Sequence, residues 1–300
     1  MGTVAGGHSG AVTSPRTALI TGASSGIGRA TALLLAADGA ALVLLARGRE
    51  PLEEAAAECR AAGASSVVVE ACDVNDRAAL VEAVQRAGQL DLVVHAATVM
   101  AYGEVEELPA EVFEQVVATA VNGTANLARP VLARFRQQGH GDLVVVSSLL
   151  ASITAPTMGA YATAKWGQLG LVRTLQQETR DVPGIHVSAV APGGVNTPIY
   201  YQAATVLGNT GHPPPPIYSP QRVGRAVLAA VDRPRRLRQS GIANPVIIAG
   251  YRLFPPVFDA LVGPLLKVFG MSRDSVPPTD GNVFESRLDK NATRGPWHDI

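Results

Sequence analysis

Thr17-Ala18-Leu19-Ile20-Thr21-Gly22-Ala23-Ser24-Ser25-Gly26-Ile27-Gly28 is the stretch on which the fold turns. An apolar run, Thr17 to Ile20, ends in a glycine-rich turn, and a helix-period segment, 26–38, starts on its far side. Glycines there let the chain turn sharply and let an anion approach the backbone. The new helix then offers unpaired N–H groups and the positive end of its dipole to that anion. The spacing differs from GxGxxG, but the strand–turn–helix setting is that of a dinucleotide-binding unit. The same residues also spell a formal G-x-S-x-G, Gly22 to Gly26, the turn that presents a serine nucleophile in α/β-hydrolases. That rival needs an acid and then a histidine in later loops. Of the six histidines only His212 and His298 lie late enough, and Tyr161 and Lys165 would go unexplained.

Outward from this turn, short apolar runs alternate with helix-period stretches, the pattern of a parallel sheet covered by helices. Strands are expected over 17–21, 41–46, 66–71, 90–96, 142–147, 185–191 and 245–249. Their near-continuous Val, Leu, Ile and Ala content suits burial on both faces. Helices are expected over 26–38, 50–62, 76–88, 109–135, 158–180 and 220–231. The order predicts an α/β fold, a single-domain doubly wound parallel sheet of about seven strands (Rossmann fold) over 16–250, with its ligand crevice at the carboxyl ends of the strands. Residues 1–15 read as a disordered arm, 198–219 (with Pro213 to Pro216) as a long irregular substrate loop, and 251–300 as an extension, an apolar helix followed by an irregular tail. The apolar stretch 253–269 is broken by Pro255, Pro256, Asp259, Pro264 and Lys267, too interrupted to span a bilayer. It reads as a helix over the substrate pocket or against another subunit, or as a peripheral membrane contact.

Lys+Arg and Asp+Glu both number 25, so no basic surface for nucleic acid is expected. The only cysteines, Cys59 and Cys72, lack CxxC spacing and read as reduced thiols of a cytoplasmic protein, with no metal site. The second strand ends Leu44-Leu45-Ala46-Arg47, and no acid follows until Glu50. At this point an acid favours a free ribose 2′-hydroxyl and an arginine favours a 2′-phosphate, so Arg47 points to NADP ahead of NAD.

Ser147-Ser148 ends the strand at 142–147, and thirteen residues beyond Ser148 stands Tyr161-Ala162-Thr163-Ala164-Lys165. A Tyr and a Lys four apart on a helix share one face. A neighbouring ammonium stabilises phenolate, which brings an otherwise weak acid toward neutral working pH, and Ser148 could hold a substrate oxygen by a hydrogen bond.

With these motifs the chain resembles the short-chain dehydrogenase/reductase family over about residues 17–200. The resemblance rests on the TGxxxGxG turn, on Ser148, Tyr161 and Lys165, and on Pro192-Gly193-Gly194-Val195-Asn196-Thr197 after the strand at 185–191. It implies that Tyr161 is the general acid/base, that Ser148 polarises a carbonyl, and that Lys165 binds the nicotinamide ribose and lowers the Tyr161 pKa. It further implies a dinucleotide held by Gly22, Ser24, Ser25, Gly26, Ile27, Gly28, Arg47, Asp73, Val74, Ala96, Ala97, Pro192, Gly193, Val195 and Thr197, with Asp73 near the adenine. The substrate would be a small-molecule carbonyl or alcohol, lipophilic to judge from the apolar loops. Helices 109–135 and 158–180 resemble the family's usual subunit interface, which implies a homodimer or homotetramer.

The sequence departs from the family twice. His95-Ala96-Ala97-Thr98 stands where Asn-Asn-Ala-Gly is usual, and Ala120 falls where the family carries a proton-relay Asn. Asn122 lies about 200° further around a helix and cannot replace it directly. These departures keep a second reading open, a nucleotide-binding regulator or scaffold that has lost efficient turnover.

Overall fold

The computed structural model describes residues 16–287 and 291–300, so the arm expected over 1–15 lies outside the described residues. The apolar runs form the main-sheet strands β1 (Thr17–Thr21), β2 (Ala41–Ala46), β3 (Ser66–Ala71), β4 (Leu92–His95), β5 (Gly141–Val146), β6 (Ile185–Pro192) and β7 (Arg238–Ser240). They lie in the order β3-β2-β1-β4-β5-β6-β7, and every neighbouring pair is parallel. The strand order reverses direction between β1 and β4, which opens a crevice above their carboxyl ends.

The connecting helices are α1 (Gly26–Ala37), α2 (Arg49–Ala62), α3 (Arg77–Ala87), α4 (Ala110–Val117), α5 (Gly123–Gln138), α6 (Gly159–Glu178), α7 (Ile199–Gln202), α8 (Pro220–Asp232), α9 (Asn244–Leu253) and α10 (Pro255–Phe269). Alternation along each strand divides its side chains between two cores. Ile20, Leu42, Leu44 and Val94 point to α1, α2 and α8, where they meet Leu35, Leu52, Val223 and Val227. Leu19, Val43, Val93 and Leu143 point the other way, to Leu80 of α3, Leu127 and Phe135 of α5, and Val172 of α6. Each such side chain taken fully out of water contributes about 1.5–3 kcal/mol, which makes the sheet a rigid floor for whatever sits at its edge.

Three local expectations are corrected. The strand expected over 245–249 is instead part of helix α9, and the seventh strand is the short polar run β7, paired with Val190 to Pro192 of β6. Pro245, in the first turn of α9, has no N–H for a ladder and a φ preset for helix, whereas Val246, Ile247 and Ile248 suit either element. The long fourth helix expected over 109–135 runs unbroken from Ala110 to Gln138, but it contains a π-helical turn, Ala118–Asn122, between α4 and α5. The stretch 198–219 is not irregular throughout. It contains α7 and two short strands, Ala204–Thr205 and Asn209–Gly211, which pair with Ala101–Tyr102 and Met271–Ser275.

Helix α10 has no buried residue, and Leu253, Val257, Leu261, Leu265 and Val268 are each at least half exposed. Among the described residues no helix is long and apolar enough to cross a membrane.

Candidate active site

The glycine turn adopts a backbone that side chains resist. Gly22 and Gly26 have φ of 65° and 52°, in the left-handed region where a Cβ is penalised. Gly28 is required for a different reason, because a Cβ there would lie 2.2 Å from the Gly22 carbonyl oxygen. Ser25 caps α1 without a side-chain hydrogen bond. The turn is thus a shallow cradle at a helix N-terminus, shaped for an anionic group, and the residues present fit the pyrophosphate of a dinucleotide.

The candidate catalytic and dinucleotide-binding residues all line one cavity of about 910 Å³ at the carboxyl end of the sheet. At one end lie the glycine turn (Gly22, Ser24, Ser25, Gly26, Ile27, Gly28), Arg47 at the end of β2, and Asp73 and Val74 after β3. Ala96 and Ala97 after β4 lie against Gly22, and Thr197 against Gly26, with Pro192, Gly193 and Val195 after β6 completing this part of the lining. Ser148, Tyr161 and Lys165 stand beyond them, below an apolar vault that includes Met100, Tyr102, Phe254, Leu261, Leu265 and Phe269. The vault drawn from α9 and α10 was not among the residues named from sequence. A helix over the pocket is one of the readings of the apolar stretch 253–269.

The Ser148 hydroxyl is hydrogen-bonded to the Tyr161 phenol and also accepts from the Leu150 N–H at 3.1 Å. Burial pushes the phenol well above its ordinary value, a nearby Tyr200 pushes the same way, and the Ser148 hydrogen bond works against both. Lys165 is 1% exposed, and burial draws its ammonium down to about 7. Among the described residues no hydrogen bond joins the Tyr161 hydroxyl to Lys165. Its Nζ sits 5.5 Å from the Tyr161 ring centroid and donates instead to the Val146 carbonyl at 3.3 Å and to Gln168 Oε1 at 3.1 Å.

His95, in the first position of the altered Asn-Asn-Ala-Gly segment, is fully buried and joined to the Thr21 hydroxyl at 2.8 Å. The same hydroxyl accepts from the Ala96 and Ala97 N–H groups, so this pair ties β1 to the turn after β4 and keeps that turn in shape. Ala120 is buried in the π-helical turn, whereas Asn122 is exposed and takes no part in the site.

Asn282, Ser286, Arg287 and Asn291 of the C-terminal tail also line the cavity, a feature with no local signal in the sequence. Arg47 donates to the carbonyls of Asn282, Val283 and Glu285. The Gly26 N–H donates to the Ala292 carbonyl at 3.0 Å. Asn196 holds the segment further on by donating to the Trp297 carbonyl and the Asp299 carboxylate. The Gly26 N–H, one of the backbone donors of the glycine turn, is thus satisfied by the tail. Arg47 is in the expected part of the cleft, with its guanidinium hydrogen-bonded to this tail.

A glycine turn at the switch point of a parallel sheet, with a Ser–Tyr–Lys cluster in the same cavity, defines a dinucleotide-dependent oxidoreductase as the class. Comparison with known proteins gives the family. The short chain dehydrogenase family model matches residues 16–205, more than half of the chain. An uncharacterised oxidoreductase of Listeria innocua is 31% identical over 224 residues, 72% of this chain and 90% of the relative. A short chain dehydrogenase from Mycobacterium paratuberculosis bound to NAD superposes with a TM-score of 0.65 at 26% identity, covering 75% of this chain and 95% of the other. An alcohol dehydrogenase from Thermococcus sibiricus complexed with 5-hydroxy-NADP gives 0.64 at 29% identity, over 75% and 94%. The chain belongs to the short-chain dehydrogenase/reductase family of NAD(P)-dependent oxidoreductases, which interconvert carbonyls and alcohols.

Proposed function

We propose that the protein is an NADP-preferring reductase or dehydrogenase acting on a lipophilic carbonyl/alcohol pair, with Tyr161 as its acid–base group. The observation that carries this reading is the Ser148–Tyr161–Lys165 cluster at the junction between the glycine-turn end of the cavity and its apolar vault. The glycine turn, Asp73, Ala96, Ala97, Val195 and Thr197 would hold the dinucleotide, which when bound would supply a hydride from nicotinamide C4. Tyr161 donates its phenolic proton to the carbonyl oxygen as that oxygen gains charge, and takes it back in the alcohol-oxidising direction. The Ser148 hydroxyl donates a second hydrogen bond to the same oxygen and fixes it against the phenol. Lys165, as a buried cation over the Tyr161 ring, favours the phenolate left by proton transfer.

The apolar vault supports a lipophilic substrate, since Met100, Phe254, Leu261 and Phe269 offer no polar partner to a hydrated one. NADP preference is supported by Arg47 in the cleft and by the lack of an acid at the end of β2. Its test is the ratio of kcat/KM for NADPH to that for NADH, in wild type and in Arg47→Asp. A carboxylate repels a 2′-phosphate and can accept from a free 2′-hydroxyl, so the ratio is expected to fall at least tenfold, about 1.4 kcal/mol. Loosening of the tail affects both cofactors alike and cancels in the ratio. An unchanged ratio would mean that Arg47 serves the tail alone.

A further inference from the structure

Lys165 has an ammonium with three donors and no water-exposed surface to satisfy them. A buried cation is tolerated only where acceptors are held ready for it. Burial draws the ammonium down, and among the described residues no carboxylate is paired with it. Its acceptors are the Val146 carbonyl, fixed by the sheet, and one side chain, Gln168, a turn further along α6.

Gln168 is itself 1% exposed. Its Nε2 donates to the Ala120 carbonyl at 3.3 Å and to the Thr124 hydroxyl oxygen at 3.0 Å. Thr124 in turn donates to the Ala120 carbonyl at 2.6 Å, so its oxygen is left to accept. A carbonyl can only accept and an ammonium can only donate, which leaves the amide one orientation: nitrogen toward the π-helical turn, oxygen toward Lys165. The π-helical turn is what brings the Ala120 carbonyl within reach of α6, and such turns are frequent at functional sites.

We propose that Gln168 is the positioning residue for Lys165, an amide that links the π-helical turn Ala118–Asn122 to the reaction centre and holds the ammonium over Tyr161 without neutralising it. This rests on the reading of Tyr161 and Lys165 given above. A glutamine suits the task where neither neighbour in size or polarity would. A carboxylate would pair with the ammonium and cancel the charge that favours phenolate, and an aliphatic side chain would leave Nζ with the Val146 carbonyl alone.

Lysine is scarce enough in this chain for a direct test, since the sequence contains only Lys165, Lys267 and Lys290. With lysine labelled at 13Cε, three signals report the three titrations, and Lys165→Met assigns the one of interest. The other titratable groups facing Lys165 are Tyr161 on its own helix and His95 at the end of β4, the latter held neutral down to about 3 by burial. β5 and the π-helical turn contribute the Val146 and Ala120 carbonyls.

Gln168→Glu is expected to raise the Lys165 midpoint by about 1–3 pH units, and Gln168→Leu to lower it. The pH dependence of NADPH-supported kcat is expected to move in the same opposite directions in the two variants. A role confined to packing α5 against α6 would change melting temperature and total activity, and would leave the Lys165 titration and the pH profile where they are. That result overturns the proposal. If Gln168→Leu does not fold, the near-isosteric Gln168→Glu decides alone. Failure of the catalytic reading is separable: Tyr161→Phe would then turn over normally, whatever Lys165 does on titration.

Discussion

Tyr161→Phe is expected to lower kcat by about 10²–10⁴-fold, the usual worth of general acid–base assistance, with little change in melting temperature or NADPH affinity. Tyr161 belongs to the buried cluster that contains Met158, Ala160 and Ala164, and a phenylalanine ring fills the same space. Only the hydroxyl and its transferable proton are removed, and neither the glycine turn nor Lys165 is touched. Ser148 keeps its bond to the Leu150 N–H, so the strand end stays in position. Measuring kcat, the dinucleotide Kd and the melting temperature separates the three effects. A phenylalanine variant that reduces a good substrate at the wild-type rate would remove Tyr161 from the role of catalytic acid.

The second large effect is expected at Gly28. In Gly28→Ala the new methyl would lie 2.2 Å from the Gly22 carbonyl oxygen and 2.7 Å from its carbon, backbone atoms that cannot rotate away. Relief requires a shift of the turn itself, and forcing extra volume into a packed site costs about 1–3 kcal/mol. The strain falls on the segment that presents N–H groups to the pyrophosphate. NADPH binding, read by nucleotide fluorescence, is expected to weaken at least tenfold, or about 1.4 kcal/mol, and the melting temperature to fall. Wild-type affinity in this variant would mean that the dinucleotide does not sit on the turn.

Much of this frame was legible in the sequence because burial on both faces leaves an uninterrupted apolar signature. β1 and β2 fall on the residues expected, since Ala18 to Ile20 and Leu42 to Leu45 are apolar without a break, and the edge strand β3 does so through its Val67-Val68-Val69 run although none of its residues is buried. The edge strand β7 was not legible. Its residues, Arg238-Gln239-Ser240, carry no strand pattern, and they extend only because β6 offers a free edge. Nearby Val246 to Ile248 imitate a strand until Pro245 is read as a helix start instead of a boundary.

The site divides in the same way. Ser148, Tyr161 and Lys165 could be found from spacing because their geometry is local to one strand end and one helix turn. Arg47 could be located but its partners could not, since they lie more than two hundred residues away in the tail. Gln168 gave one faint signal, a polar residue three positions after Lys165 on the same side of α6. Its meaning depends on the π-helical turn across from it, which no periodicity announces.

The central claim is hydride transfer to a lipophilic carbonyl in this cavity, and the most direct measurement follows the hydride itself. NADPH carrying deuterium at nicotinamide C4 would be incubated with wild-type protein and a panel of apolar aldehydes and ketones, and the alcohol carbon of each product examined by mass spectrometry. Deuterium is expected on the carbinol carbon of at least one product in the wild-type reaction, and at least a hundredfold more slowly with Tyr161→Phe. Tight NADPH binding with no transfer to any member of the panel would contradict the account and leave a nucleotide-binding scaffold in its place.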